Sequence, residues 1–219
     1  ETFALEADDV VFAVGATALN AIVRNTPLLS RYPQYRKFAN LRGTSVLATR
    51  VYLDQTIDTA FSANACWGFD KGIGMTVFDI TKLHSADGLG GNTSKEVVSS
   101  LVGVEGSVME VDYYACDALN VMDDQSILTK VKNDLDTIYG PSCINAKVTD
   151  AAIIRLPQAV NWYFPGSYAS MPDAHSSKTF DGIPNLYFAG DIVRSRHGSW
   201  SQEKAFVTGM EAANIILGR

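Results

Sequence analysis

Apolar runs set off by glycine, proline and polar residues divide the chain into short strand-like and helix-like segments. Residues 8–14 (DDVVFAV) form an apolar run behind two acids and end at Gly15. Such a run reads as a buried strand covered on both faces. Residues 16–23 then predict a short helix with Leu19, Ile22 and Val23 on one side, and Pro27 and Pro33 break the pattern beyond it. Residues 44–53 (TSVLATRVYL) are rich in β-branched and apolar side chains and predict a strand. Gly72 and Gly74 punctuate the next region, with strands predicted over 75–80 and 107–115 and loop material over 85–94 (SADGLGGNTS).

The clearest helix is predicted over 123–139. There Ile127, Leu128, Val131, Leu135 and Ile138 recur at spacings of three and four. Asp123 and Asp124 suit its positive N-terminal end, and Gly140-Pro141 stops it. Residues 147–156 predict a further strand, after which Pro157 opens a loop rich in aromatics. Residues 185–189 (NLYFA) read as the last strand and 201–217 as the last helix.

Strands and helices mix without strict alternation in the middle of the chain, whereas each end is an apolar strand followed by a helix. The fold class expected is therefore α/β plus α+β. Residues 1–39 and 180–219 would form part of a Rossmann-like, dinucleotide-type domain, with 40–179 inserted as a mixed-sheet substrate-binding domain.

Composition narrows the field. With 47% hydrophobic and 19% charged residues, the chain has the apolar content of a folded protein and not of a disordered one. A formal charge of −6, without any Lys/Arg run, argues against a nucleic-acid surface. No apolar stretch approaches the roughly 20 residues of a membrane span. Location is otherwise open, soluble or peripheral to a membrane. Cys66, Cys116 and Cys143 are scattered and read as plain thiols. His84, His175 and His197 are isolated too, so no metal site is expected. The chain opens at Glu1 directly into a strand-like segment, which suggests a fragment or a processed chain.

Residues 183–217 (IPNLYFAGDIVRSRHGSWSQEKAFVTGMEAANIIL) concentrate the chemistry. A strand ends in Ala189-Gly190-Asp191, and a helix begins near Ser199 or Ser201, where Ser199-x-x-Gln202 fits a capping box. A helix N-terminus at the carboxyl edge of a strand favours anionic ligand groups. Gly190 admits close approach to the backbone, and Asp191 offers an acceptor for ribose or ribityl hydroxyls. Ala205, Gly209, Ala212 and Ala213 keep one side of the helix small. The same unit could equally be ordinary α/β packing.

The string NLYFAGD, a short loop and then SQEKAFVTGMEAAN resembles the C-terminal FAD motif of flavin-containing amine oxidases and phytoene desaturase-like enzymes. Glu203, Ala205, Gly209, Ala212 and Ala213 fall on that motif's positions. DDVVFAVGATAL is similar to the strand that precedes the family's substrate domain, and RLPQAVNWYFPGSY to a segment near its flavin. The resemblance implies FAD as cofactor, contacted by Gly190, Asp191, Trp200, Ser201, Gln202, Glu203 and Ala205. It also implies that Trp162, Tyr163 and Phe164 line the substrate side. Lys204 departs from the usual glycine of the motif and is expected to face solvent, as is the basic loop of Arg194, Arg196 and His197.

No GxGxxG fingerprint occurs between a strand and a helix, since GLGG at Gly88 to Gly91 sits in a polar loop. The missing N-terminal half of the FAD domain is thus an expected partner, and the isolated chain is expected to be inactive. The function implied is an FAD-dependent oxidoreductase passing hydride from a substrate C–H to flavin N5, with an amine or isoprenoid-like small molecule as substrate. No catalytic residue is singled out. The alternative is a non-catalytic, flavoprotein-like binding or assembly module.

Overall fold

The computed structural model describes residues 4–84, 106–175, 182–197 and 201–218. In chain order the main elements are strand β1 (Val10–Phe12), helix α1 (Ala16–Asn25), strands β2 (Gly43–Leu53), β3 (Ala63–Asp70), β4 (Ile73–Asp79) and β5 (Val108–Tyr114), helix α2 (Asp124–Tyr139), strands β6 (Val148–Asn161) and β7 (Leu186–Phe188), and helix α3 (Gln202–Ile216). Single helical turns link several of them. The residues 85–94, expected to be loop, lie outside the described residues.

The chain divides into two compact units, one of residues 1–44 with 158–219 and one of 45–157. Residues 158–175, expected in the inserted domain, fall in the unit that holds the two chain ends.

The unit of residues 45–157 is built on a sheet in the order β3-β4-β5-β2-β6, in which β2 pairs antiparallel with β5, and β4 with β3 and β5. On β2 the side chains of Leu47, Val51 and Leu53 are buried on one face, as a half-covered strand requires. Helix α2 lays Ile127, Val131 and Leu135 into the same cluster, together with Val77, Met109 and Val111. This is the apolar face its spacing predicts. Asp123 caps it by accepting from the Ser126 amide at 2.9 Å. The polar side of α2 is tied down as well: the buried Tyr113 hydroxyl donates to Asp134 at 2.6 Å, and Lys130 bridges Asp134 and Asp70.

In the other unit, β1 and β7, from opposite ends of the chain, pair in parallel with Val10 opposite Leu186 and Phe12 opposite Phe188. Their core gathers Leu19 and Val23 of α1 with Tyr35, Phe38, Leu186, Phe188 and Ile192. Phe38 meets Phe188 edge-on at 5.4 Å between centroids, a favoured aromatic geometry. The sequence expectation of a β1 covered on both faces does not hold within this chain. Val10 and Val11 are 41% and 43% exposed, because β7 is the one strand paired with β1 among the described residues.

Candidate functional site

Parallel pairing of β1 with β7 sets their carboxyl ends side by side. Gly15 and the start of α1 follow one strand, and Gly190-Asp191 follow the other. In open α/β sheets this edge is where ligands sit.

Four side chains converge there: Asn161, Tyr163, Asp191 and Lys204. Asn161, buried at the end of β6, accepts from the Ala16 amide at 2.6 Å through Oδ1 and donates through Nδ2 to Asp191 Oδ1. It thereby satisfies an orphan amide of the α1 first turn, where Gly15 offers no side-chain cap. Tyr163 donates its hydroxyl to the Asp191 carbonyl at 2.8 Å and lies 3.5 Å from Asp191 Oδ2. Burial first, then the charge and hydrogen bond of Asp191, push the Tyr163 phenol well above its ordinary value. It therefore stays protonated and keeps donating. Asp191 Oδ1 is held by Asn161, and Oδ2 takes a longer contact from the Tyr163 hydroxyl.

Helix α3 is anchored to the same strand end. Thr208 Oγ1 accepts from the Gly190 amide at 3.0 Å and lies 2.9 Å from the Gly190 carbonyl. The buried residues of α3 are Lys204, Thr208 and Ala212; of the small residues singled out in the sequence, Ala212 is buried, Ala205 and Gly209 are half-buried and Ala213 is exposed. Lys204, expected in solvent, is 4% exposed. Its ammonium stands 5.7 Å from the Tyr163 ring centroid. A lysine at the first turn falls on the same face as Thr208, four residues on, and that face is the one against Gly190.

The helix begins later than the Ser199 capping box implies. Ser201 is the cap, its Oγ accepting from the Lys204 amide at 3.0 Å, while Ser199 and Trp200 lie outside the described residues. Gln202, Glu203 and Ala205 occupy the first turn, with Gln202 and Glu203 exposed and Ala205 half-buried. Ser201→Ala is expected to cost about 1 kcal/mol, the usual worth of such a cap. Faster amide exchange at residues 202–205 would register it, and unchanged exchange would remove Ser201 from this role.

Trp162 and Phe164 lie on the outer side, their rings 5.4 Å apart, with Trp162 exposed and the Arg42 guanidinium over Phe164. The basic loop is only partly solvated. Arg194 pairs with Asp173 and stacks over Tyr168, Arg196 is exposed, and His197 lies 3.6 Å from Glu203. An open cavity of about 650 Å³ runs past Tyr168, Asp173, Arg194, Ser195 and Glu211, but Asp191, Tyr163 and Lys204 do not line it. The three cysteines are free, and no group of potential metal ligands occurs among the described residues.

A family model for flavin-containing amine oxidoreductases matches residues 1–217. The chain belongs to that family. Membership carries FAD as the cofactor. The chain is similar in structure to a protein from Exiguobacterium sp. 255-15 described as a protoporphyrinogen oxidase, with a TM-score of 0.58 at 13% identity over 97% of this chain and 42% of that one. It is similar also to cyclohexylamine oxidase from Brevibacterium oxydans IH-35A, with a TM-score of 0.60 at 15% identity over 98% of this chain and 44% of that one. At such identities the likeness concerns the fold. The chain thus spans less than half the length of either structure. No curated protein sequence matches it. No helix among the described residues is long and apolar enough to cross a membrane.

Asn161 carries no motif that sequence reasoning could use. It sits at the end of a strand, next to the aromatics 162–164, but nothing in the linear pattern joins it to Asp191.

Proposed function

We propose that this chain is the C-terminal part of an FAD-dependent oxidoreductase whose cofactor is held at the edge formed by Gly190, Asp191 and the start of α3. The supporting observation is the half-buried Asp191 carboxylate, held by Asn161 and Tyr163 next to an open backbone at Gly190. Gly190 has a φ of +121°, which favours glycine, and no described atom lies within 4 Å of where a Cβ would stand. The residues present therefore suit a ribityl or ribose hydroxyl approaching the backbone and Asp191.

On this reading Asp191 accepts from a cofactor hydroxyl, Gly190 leaves the room, and Ser201, Gln202, Glu203 and Ala205 present the first turn of α3 to the ring. First-turn amides lack helical partners and carry positive dipole charge, so they stabilise negative charge that builds on a reduced ring. Bound FAD supplies the hydride acceptor, N5. The chain's part is to bind, orient and exclude water. Trp162, Tyr163 and Phe164 flank the side from which a small amine or isoprenoid-like substrate would approach.

The exposed apolar surface of the same unit supports a missing partner segment. Val10 and Val11 on β1 and Phe206 and Met210 on α3 are uncovered within this chain, with Phe206 69% exposed. An N-terminal half bringing the remaining strands and the glycine-rich turn would cover such a face and hold the pyrophosphate.

An absorbance spectrum and FAD titration test this, with the chain alone and joined to an N-terminal half from a family member. Flavin retained by the joined protein and not by the isolated chain is the expected outcome. Absence of flavin in both forms sinks the proposal and leaves a non-catalytic module.

A further inference from the structure

Lys204 is the one long cationic side chain on the buried face of α3, beside Thr208 and Ala212. Leaving an ammonium out of water is costly unless a partner or ligand compensates it. No ion pair to Lys204 is found among the described residues, although Asp191 stands near enough to act on it electrostatically. The Asp191 carboxylate takes one contact on each oxygen, from Asn161 and Tyr163, which leaves lone pairs for a further donor.

We propose that Lys204 is a positioning residue for the cofactor, its buried ammonium set over Tyr163 and beside Asp191 so that an anionic group can settle against an acid that would otherwise repel it. The assignment rests on the flavin reading of the site. An acid such as Asp191 is useful as a hydroxyl acceptor but hostile to the phosphates of FAD and to the charge gathered by its reduced ring. A cation that shares Tyr163 and Asp191 with the site cancels the repulsion where it arises, and Coulomb energy falls with distance, so a remote one would not. The neighbouring titratable groups are few. Asp191 and Tyr163 face Lys204 from the segments packed on α3, while Glu203, on α3 itself, is exposed and turned toward His197.

Burial lowers the Lys204 ammonium from its ordinary value, and the charge of Asp191 opposes that without cancelling it. Holding the charge thus costs the ligand-free fold some stability. Because the folded value lies below the unfolded one, this cost is complete below the folded value and fades as pH rises past it toward the ordinary lysine range. A lysine held in a stabilising ion pair would show the opposite sign.

The test uses the chain joined to an N-terminal half from a family member, with FAD as the probe. Lys204→Met, which keeps the stem and removes the charge, is expected to raise the unfolding midpoint of the ligand-free protein at neutral pH. The same variant is expected to weaken FAD binding by roughly tenfold, the scale of one charge-assisted contact. Wild-type affinity should fall at alkaline pH as Lys204 loses its proton, whereas Lys204→Arg should bind comparably and hold its affinity across that range. If Lys204→Met folds too poorly to measure, the pH profile of Lys204→Arg against wild type still decides. Wild-type protein that takes up no FAD overturns the flavin reading itself. Wild-type protein that binds FAD, with Lys204→Met binding equally well or Lys204→Arg showing the same alkaline fall, overturns the Lys204 assignment alone.

Discussion

Asp191→Ala is expected to lower the FAD affinity of the joined protein by roughly tenfold to a hundredfold, since a hydrogen bond to a charged acceptor is worth about 1.5–3 kcal/mol. The carboxylate is pinned through Oδ1 by Asn161 and flanked at Oδ2 by Tyr163, so a ligand hydroxyl would meet an acceptor already oriented. An acceptor fixed in this way gives up little rotamer freedom on binding, which places the expected loss toward the upper end. The substitution also leaves the Asn161 amide without its acceptor and removes the acid nearest Lys204. Some destabilisation should therefore accompany the loss of affinity. Asp191→Asn separates the two effects, because it keeps an oxygen for Asn161 while losing the charge. The double variant Asp191→Ala with Lys204→Met should be more stable than Asp191→Ala alone, since it no longer buries a cation without a counter-charge. Fluorescence titration with FAD and a urea midpoint on each variant measure both quantities. Full affinity in Asp191→Ala would remove this residue from the site.

How much of the fold is legible in the sequence depends on how periodic each segment is. Helix α2 and strands β2 and β5 can be read because each buries one face with a regular period, as Ile127, Val131 and Leu135 do. Strand β3 has no such signal. Its sequence, ANACWGFD, carries no clean alternation, Trp67 is exposed, and the register shifts between Cys66 and Asp70. As an edge strand it needs only one partner, so pairing with β4 decides it more than pattern does. The other edge strand, β6, runs to Asn161 past the proline at 157, where the sequence suggests a loop. Proline is tolerated at such an edge because its missing amide breaks no central ladder.

At the site itself the strand–Gly–Asp–helix order is visible in the chain, and its ligand role is carried by resemblance. The sequence points Tyr163 at a substrate wall but gives no sign that its hydroxyl holds the Asp191 backbone. The burial of Lys204 is out of reach for a different reason. A lysine in a helical first turn is most often solvated, and only the docking of Thr208 on Gly190 turns that face inward. Long-range pairs such as Ala16 with Asn161 have no local signal at all, being separated by 145 residues.

Those long-range contacts depend on a close backbone approach, and Gly43→Ala should break it. A Cβ at Gly43 would stand 1.9 Å from the Gln158 carbonyl oxygen and 2.5 Å from its carbon, with Thr17 Oγ1 at 2.6 Å. No rotamer relieves a clash with backbone, so one chain segment must move. Gln158 has little freedom to yield. Its φ of +51° is already a left-handed conformation in a non-glycine residue, and its carbonyl accepts from the Thr17 hydroxyl at 2.8 Å. Arg42, the residue before Gly43, is also tied to this strand, its carbonyl accepting from the Trp162 amide at 2.9 Å. Moving Gly43 away therefore pulls on both sides of Asn161, the residue that caps α1 and orients Asp191. Overpacking against backbone typically costs about 1–3 kcal/mol, and a loss at or above the top of that range is expected here. In urea unfolding the midpoint should fall accordingly, and FAD affinity should fall with it even under conditions where the protein remains folded. Once Gly43→Ala has freed Asn161, adding Asp191→Ala should cost less affinity than it does in the wild-type background. Additive losses would show instead that the backbone contact at Gly43 and the orientation of Asp191 are independent.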